Sequence, residues 1–178
     1  MIIREALFHE HSNAQSLRIA QFIGNDAQKF DTLIQIVLNE EDRLAQRAAH
    51  VMTKVLDRYP DLLIPYLSET VRRLQQKKVP VALKRNFMRC LRIIDIPEEY
   101  EGHILDIGMN YLNDPKEAVA VKAHSMQVVF NLSRDYPELL NELKLIITEM
   151  LPHGSAGIRS RVRITLEDIK RRESKDKS

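Results

Sequence analysis

Two short stretches of this sequence occur twice, and their spacing limits the folds open to the chain. Residues 44–49 (LAQRAA) match residues 119–124 (VAVKAH) at an offset of 75. Residues 58–63 (RYPDLL) match residues 135–140 (DYPELL) at an offset of 77. A nearly fixed period of this length predicts an array of similar structural units.

A basic residue marks the half-steps of the same period. Arg47, Lys84, Lys122 and Arg159 follow one another at gaps of 37, 38 and 37 residues. These gaps are nearly equal and fall at the same phase of the pattern, so the repeating unit has about half the longer period. A unit of this length accommodates two helices joined by a turn.

Apolar residues are spaced as on one face of an α-helix, for example Leu44, Ala48, Val51, Met52 and Val55. No stretch alternates strictly over the length of a strand. Prolines fall between the apolar segments and mark their ends. We predict nine helices, at residues 12–23, 26–39, 41–59, 61–77, 80–94, 97–113, 115–135, 137–151 and 155–172, and a short amphipathic piece at 3–9.

Residues at the predicted helix ends have the chemistry of caps. Ser12 begins a capping box, and Gly24 and Asp26 suit the end of one helix and the start of the next. Asn39 is a candidate N-cap for the following helix. Pro65 is expected in the first turn of its helix, where a missing N–H costs little.

The turn at residues 114–115 and the predicted helix that follows it have the sequence pattern of a known repeat family. Asp114 and Pro115 precede residues 121–123 (VKA), and Glu41 and Asp42 similarly precede residues 47–49 (RAA). In this arrangement the chain resembles the HEAT and armadillo class of α-solenoids. The resemblance implies an all-α, right-handed superhelix of about four helix-pair repeats.

We expect the repeats to form a single HEAT-like domain over residues 1–172, with a frayed charged tail at 173–178. One helix pair cannot enclose its own apolar face, so stacked neighbours would bury those faces between them.

Composition excludes several other classes of protein. Apolar residues make up 44% of the 178 residues and charged residues 29%, which is typical of a folded domain. The single Cys90 excludes an internal disulfide framework and a four-cysteine zinc site. No apolar run approaches the roughly 20 residues of a membrane span. We therefore expect a cytoplasmic protein without a membrane partner.

Residues that could perform chemistry are few. The segment His9-Glu10-His11 could hold a metal weakly, but a polar connector is favoured. Cys90 shares an apolar face with Phe87, so an inert core thiol is expected. The HEAT resemblance includes DNA glycosylases, yet the chain has no Trp, which argues against that activity. We predict no enzyme, no catalytic residue, no metal and no cofactor.

Basic residues give the strongest functional signal. Residues 41–94 carry a net charge of +7, whereas residues 95–153 carry −7. The resemblance implies that the second helix of each repeat lines a concave surface, and the predicted helix at 80–94 has no acidic residue. The candidate binding residues on these second helices are Arg43, Arg47, Lys54, Lys84, Arg85, Arg89, Arg92, Lys122, Arg159 and Arg163.

The four recurrent basic residues have a second interpretation. In HEAT repeats this position commonly bonds the Asp of a neighbouring turn, which would make Arg47, Lys84, Lys122 and Arg159 an internal ladder. The sequence leaves both roles open.

The favoured function is a non-catalytic scaffold that binds a protein or peptide, expected to be acidic, on its concave face. The alternative is a nucleic-acid-binding protein that grips backbone phosphates through the basic layer. A glycosylase of the HEAT-like kind is a less favoured third hypothesis.

Overall fold

The structure is a computed structural model that describes residues 1–9 and 12–175, except for the side chains of Asp42 and Asp135. The described residues form helices and contain no strand. The α-helices are α1 (Ile3–His9), α2 (Asn13–Ile23), α3 (Ala27–Asn39), α4 (Asp42–Leu56), α5 (Leu67–Leu74), α6 (Val81–Leu91), α7 (Glu98–Asn113), α8 (Val119–Leu132), α9 (Pro137–Glu149) and α10 (Ala156–Lys175). Two 3₁₀ segments join them, at Pro60–Tyr66 and Ser133–Asp135.

The chain divides into two compact units, residues 1–100 and residues 101–178. The first unit contains α1 to α6. The second contains most of α7 and then α8 to α10. The boundary falls within the first turn of α7.

In the first unit, α4 is the central helix. It packs against α2 and α3, which precede it in the sequence, and against α6, which follows it. Its apolar face is completely covered, since Ala48 and Met52 have no exposed surface. Phe30 of α3 and Phe87 of α6 are also fully buried and are the largest side chains of this core. The predicted second helices of two successive repeats therefore lie side by side.

The second unit has its own core between α8, α9 and α10. Apolar residues from these helices and from the end of α7 meet there: Leu112, Met126, Val129, Leu140, Leu143, Ile147, Ile158, Val162 and Ile169. The wide apolar surface of α8 explains why this helix has neighbours on more than one side. Val121, Met126 and Val128 are buried at positions that do not share one helical face.

Most predicted caps are present. The Oγ of Ser12 accepts the N–H of Gln15 at 3.0 Å, and the carboxylate of Asp26 accepts the N–H of Gln28 at 3.0 Å. Gly24 ends α2 with a φ of 53°, a left-handed conformation that favours glycine. The prediction for Asn39 was wrong, because this residue is the last of α3 and its side chain donates to Gln35.

Two helices begin at least four residues after their predicted first residue because of local chemistry. The segment predicted as a helix from residue 61 is a 3₁₀ stretch up to Tyr66, and α5 begins only at Leu67. Pro65 lies inside that stretch, where it cannot donate an α-helical hydrogen bond. Likewise α8 begins at Val119 and not at residue 115, because the Asp114 carboxylate accepts the N–H of Lys116 in a turn.

The two Tyr-Pro copies of the repeat adopt the same backbone conformation. Tyr59 has φ −133° and ψ 64°, and Tyr136 has φ −131° and ψ 87°. Each tyrosine precedes a proline that begins the next helical element. The leucine three residues after each proline, Leu63 or Leu140, is more than 90% buried. The sequence match at an offset of 77 is thus a structural match in these two turns.

Candidate functional site

A cleft of about 480 Å³ lies along α4 and the start of α6 in the first unit. On α4 the lining residues lie at positions i, i+3, i+4 and i+7, so they share one helical face. The residues lining this basic cleft are Arg43, Gln46, Arg47, His50, Ala82 and Arg85. None of them is acidic.

Two of these arginines face solvent from different helices. Arg43 of α4 and Arg85 of α6 are both exposed. An exposed guanidinium can bind a carboxylate or a phosphate through two parallel hydrogen bonds. The pair therefore presents two donor forks to any anionic group that enters the basic cleft.

Arg47 has a different role from its two neighbours. Its Nη1 donates to the backbone oxygen of Leu7 at 2.9 Å and to that of Phe8 at 3.3 Å. These carbonyls belong to the last turn of α1, where backbone oxygens lack a partner within the helix. Arg47 thus binds the C-terminal end of α1 and holds it against α4.

Arg159 also uses a backbone carbonyl, since its Nη1 donates to the oxygen of Gly154 at 2.8 Å. For the recurrent basic position, the HEAT resemblance implied an internal role as one of two alternatives, with an Asp as partner. In these two copies, Arg47 and Arg159, the observed acceptor is a carbonyl oxygen instead.

Two further arginines bind helix ends in the same way, and sequence reasoning did not find this role for either. Arg73 donates to the Glu40 carbonyl oxygen at 3.2 Å, just after α3. Arg172 donates to the Phe130 carbonyl oxygen at 2.8 Å, with its guanidinium carbon 3.7 Å from the centre of the Phe130 ring. Their partners lie 33 and 42 residues away in sequence, so no local signal could have indicated them.

The three arginines of α6 and its C-cap that were predicted to bind a partner differ in their contacts and exposure. Nη2 of Arg89 lies 2.9 Å from both carboxylate oxygens of Asp57, at the end of α4. Arg92 is half-buried, whereas Arg85 is exposed. The helix itself has no acidic residue, but the neighbouring helix supplies one. Of the three arginines, only Arg85 lines the basic cleft.

The remaining candidates occupy other places. Lys54 lines a cavity of about 130 Å³ beside α2, together with Arg58. Lys84 lines a second basic pocket next to the cleft. Lys122, Arg159 and Arg163 belong to the second unit. Within the first unit, the structure therefore brings together Arg43, Arg47 and Arg85, whereas Lys54 and Lys84 line other cavities.

The surroundings of Cys90 do not activate its thiol. Cys90 is fully buried, and this burial raises its pKa to about 12, so the thiol stays protonated near neutral pH. Within residues 1–9 and 12–175, no group of His, Cys, Asp and Glu side chains could hold a metal ion. The predicted weak clip involves Glu10 and His11, which lie outside the described residues.

No helix among the described residues has both the length and the apolar character needed to cross a membrane.

Comparison with known proteins yields one match. No curated protein and no solved structure matched the chain significantly. A family model described as a HEAT repeat domain matches residues 3–169, which is nearly the whole chain. Repeats of this kind serve in general as non-catalytic scaffolds for protein interaction. The chain is therefore a member of the HEAT repeat domain family.

Proposed function

We propose that this HEAT repeat protein is a non-catalytic scaffold that binds an acidic protein segment in the basic cleft of its first unit. The observation that supports this most directly is the placement of exposed Arg43 and Arg85 on two packed helices, around a cleft whose described lining side chains include no acidic one. Both helices correspond to second helices of their repeats, which in this family line the concave surface.

The basic cleft suits extended peptide better than a small molecule. It is open along one helix face, and two of its three exposed lining residues, Arg43 and Arg85, are charged. Glutamate or aspartate side chains would bind the forks of Arg43 and Arg85. Arg47 adds positive charge at a fixed place, because the carbonyl of Leu7 holds its guanidinium. A bound partner would thus contact three cations. Arg47 is held in place by a hydrogen bond, and the exposed side chains of Arg43 and Arg85 can change conformation.

The nucleic-acid alternative requires cations that continue along the surface, since each backbone phosphate contacted adds to the affinity. On α6 the next arginine after Arg85 is Arg89, and Asp57 already pairs with it. The row of available charge is therefore interrupted one turn beyond the basic cleft. This interruption favours a short acidic segment over a nucleic-acid backbone.

The test is a fluorescence anisotropy titration with a fluorescein-labelled 12-residue peptide of alternating glutamate and leucine. The Arg43→Gln/Arg85→Gln variant should bind this peptide about tenfold more weakly than the unmodified protein, because two charge-assisted contacts are lost. The matched control is Lys170→Gln/Arg171→Gln, which removes the same charge from exposed positions of α10.

Equal losses in both variants would show that only the total charge matters, and the proposal would be abandoned. The same titration with a duplex DNA oligonucleotide addresses the alternative. Tighter binding of DNA than of peptide, with a log–log salt slope of about −0.9 per phosphate contacted, would favour nucleic-acid binding.

A further inference from the structure

A second pocket, of about 500 Å³, lies beside the basic cleft at the start of α6. Four of its lining residues are basic and one is acidic. They come from α5, from the connection at residues 75–80, from the N-cap of α4 and from the first turn of α6. The lining consists of Glu41, Arg73, Lys77, Lys78, Val79, Pro80 and Lys84. We propose that this phosphate pocket binds a phosphorylated side chain of the acidic partner. The inference rests on the proposed function, which supplies that partner.

Arg73 is the fixed cation of the phosphate pocket. Arg73 is only 8% exposed. Its guanidinium donates to the Glu40 carbonyl oxygen and to the Gln76 side-chain oxygen, and both of these acceptors are neutral. Among the described residues, nothing accepts a hydrogen bond from its buried Nε. A buried guanidinium whose contacts are neutral groups is stabilised when an anion binds nearby. The pocket therefore favours a negatively charged ligand.

The N-terminus of α6 adds donors to the same place. Its N-cap is Pro80, which provides no side-chain hydrogen bond to the first turn. The Pro80 carbonyl oxygen accepts the N–H of Leu83 at 2.9 Å, whereas the N–H groups of Val81 and Ala82 have no acceptor within the helix. The peptide dipoles make this end of the helix positive. Anions bind such helix ends through the backbone.

Lysines complete the pocket. Lys77 and Lys78 are exposed on the connection before α6, and Lys84 lies half-buried one turn into the helix. Among the described lining side chains Glu41 is the one carboxylate, so these side chains carry an excess of positive charge. A phosphoryl group carries up to two negative charges and three acceptor oxygens, whereas a carboxylate carries one charge and two oxygens. One arginine and three lysines line the pocket, so they supply enough N–H donors for the three oxygens of a phosphoryl group.

The position of the phosphate pocket favours a modified protein segment over a nucleic acid. Lys84 and Arg85 are consecutive on α6, yet Lys84 lines this pocket and Arg85 lines the basic cleft. An acidic segment bound in the cleft would therefore place a nearby phosphorylated residue in the pocket. Phosphates repeated at regular intervals would need further cations along α6, where Arg89 is paired with Asp57.

The experiment compares two fluorescein-labelled peptides of the same glutamate–leucine sequence, one with a central phosphoserine and one with glutamate at that place. The phosphopeptide should bind about tenfold more tightly, as expected for added charge-assisted contacts. In Lys77→Gln/Lys78→Gln this preference should fall below about threefold. In Glu41→Gln it should rise, because the repelling carboxylate is gone. Circular dichroism confirms that each variant is folded.

A second measurement tests the pocket without any peptide. Inorganic pyrophosphate is titrated into the ¹⁵N-labelled protein, with sodium chloride at equal ionic strength as the control. The amides of residues 81–83 should shift saturably in the unmodified protein and much less in Lys77→Gln/Lys78→Gln. Shifts spread evenly over the surface, or none at α6, would overturn the inference.

The two proposals fail in different ways. If both peptides bind equally, the phosphate pocket is refuted and the scaffold function stands. If neither peptide binds but pyrophosphate shifts the α6 amides, the acidic-peptide function is refuted and the pocket stands as an anion site. Tighter binding of duplex DNA than of the phosphopeptide would refute the phosphorylated-protein ligand.

Discussion

Replacing Arg47 by Gln should loosen α1 from the rest of the first unit. The change removes the hydrogen bonds from the guanidinium to the carbonyl oxygens of Leu7 and Phe8, at 2.9 and 3.3 Å. This seven-residue helix is also held by the buried side chains of Ile3 and Leu7. A hydrogen bond from the Gln15 side chain to the Ala6 carbonyl oxygen at 2.9 Å and the exposed Arg4–Glu40 ion pair add further contacts. A helix this short has little stability of its own, so it depends on such contacts.

The size of the effect follows from the kind of bond. A hydrogen bond from a charged donor contributes about 1.5–3 kcal/mol when buried. Arg47 is only half-buried, and the second contact is long, so we expect a loss of about 1–2 kcal/mol in total. Since 1.4 kcal/mol corresponds to a factor of ten, amide protection in α1 should fall roughly 5- to 30-fold.

Hydrogen exchange measured by NMR on the amides of residues 6–9 tests this expectation. The control is Arg43→Gln, one turn earlier on α4, where the side chain is exposed and its loss should change stability by less than about 0.5 kcal/mol. If both variants show unchanged protection in α1, Arg47 does not anchor that helix. Its recurrence would then have to be explained by ligand binding.

Three more expectations follow from burial and pairing. Phe87→Ala should lower the free energy of unfolding by about 3–5 kcal/mol, because a fully buried ring leaves a cavity, whereas Leu145→Ala, at a side chain 69% exposed, should cost less than about 0.5 kcal/mol in urea denaturation. A double-mutant cycle with Arg89→Gln and Asp57→Asn should give a coupling of about 0.2–1 kcal/mol, as for other partly exposed ion pairs, and no coupling would mean the pair is absent in solution. Cys90 has a pKa raised by burial from 9.0 to about 12, so the unfolded chain releases this proton first and stability should fall as the pH rises from about 9 towards 12. At pH 10.5 the loss should be about 1–2 kcal/mol larger in the unmodified protein than in Cys90→Ala, and equal pH profiles would show that the thiol is not buried.

The helical repeat could be predicted because its signals are local. The spacing of apolar residues such as Ala48 and Met52 fixes which face of a helix is buried. Caps act within one turn, as at Ser12 and Asp26, so their chemistry is visible in a few consecutive residues. The match between Tyr59 and Tyr136 was likewise detectable, since the proline that follows each one restricts the backbone.

Local competition explains the wrong boundaries. Pro65 lies where an α-helix would need its N–H, so the chain forms 3₁₀ turns until Leu67. The carboxylate of Asp114 bonds the backbone two residues ahead, which delays α8 to Val119. Both residues were visible in the sequence, but the balance between helix and turn depends on energies too similar to rank by pattern alone.

By itself, the sequence determined that this chain forms paired helices of the HEAT type with an excess of positive charge on the second helices. Only the tertiary structure decided how each cation is used. Arg47 binds carbonyls 39 and 40 residues away and Arg89 binds a carboxylate 32 residues away, while Arg85 is left exposed at the basic cleft. A long flexible side chain on a polar helix face has many reachable partners, and the partner it meets is fixed by how separate helices pack.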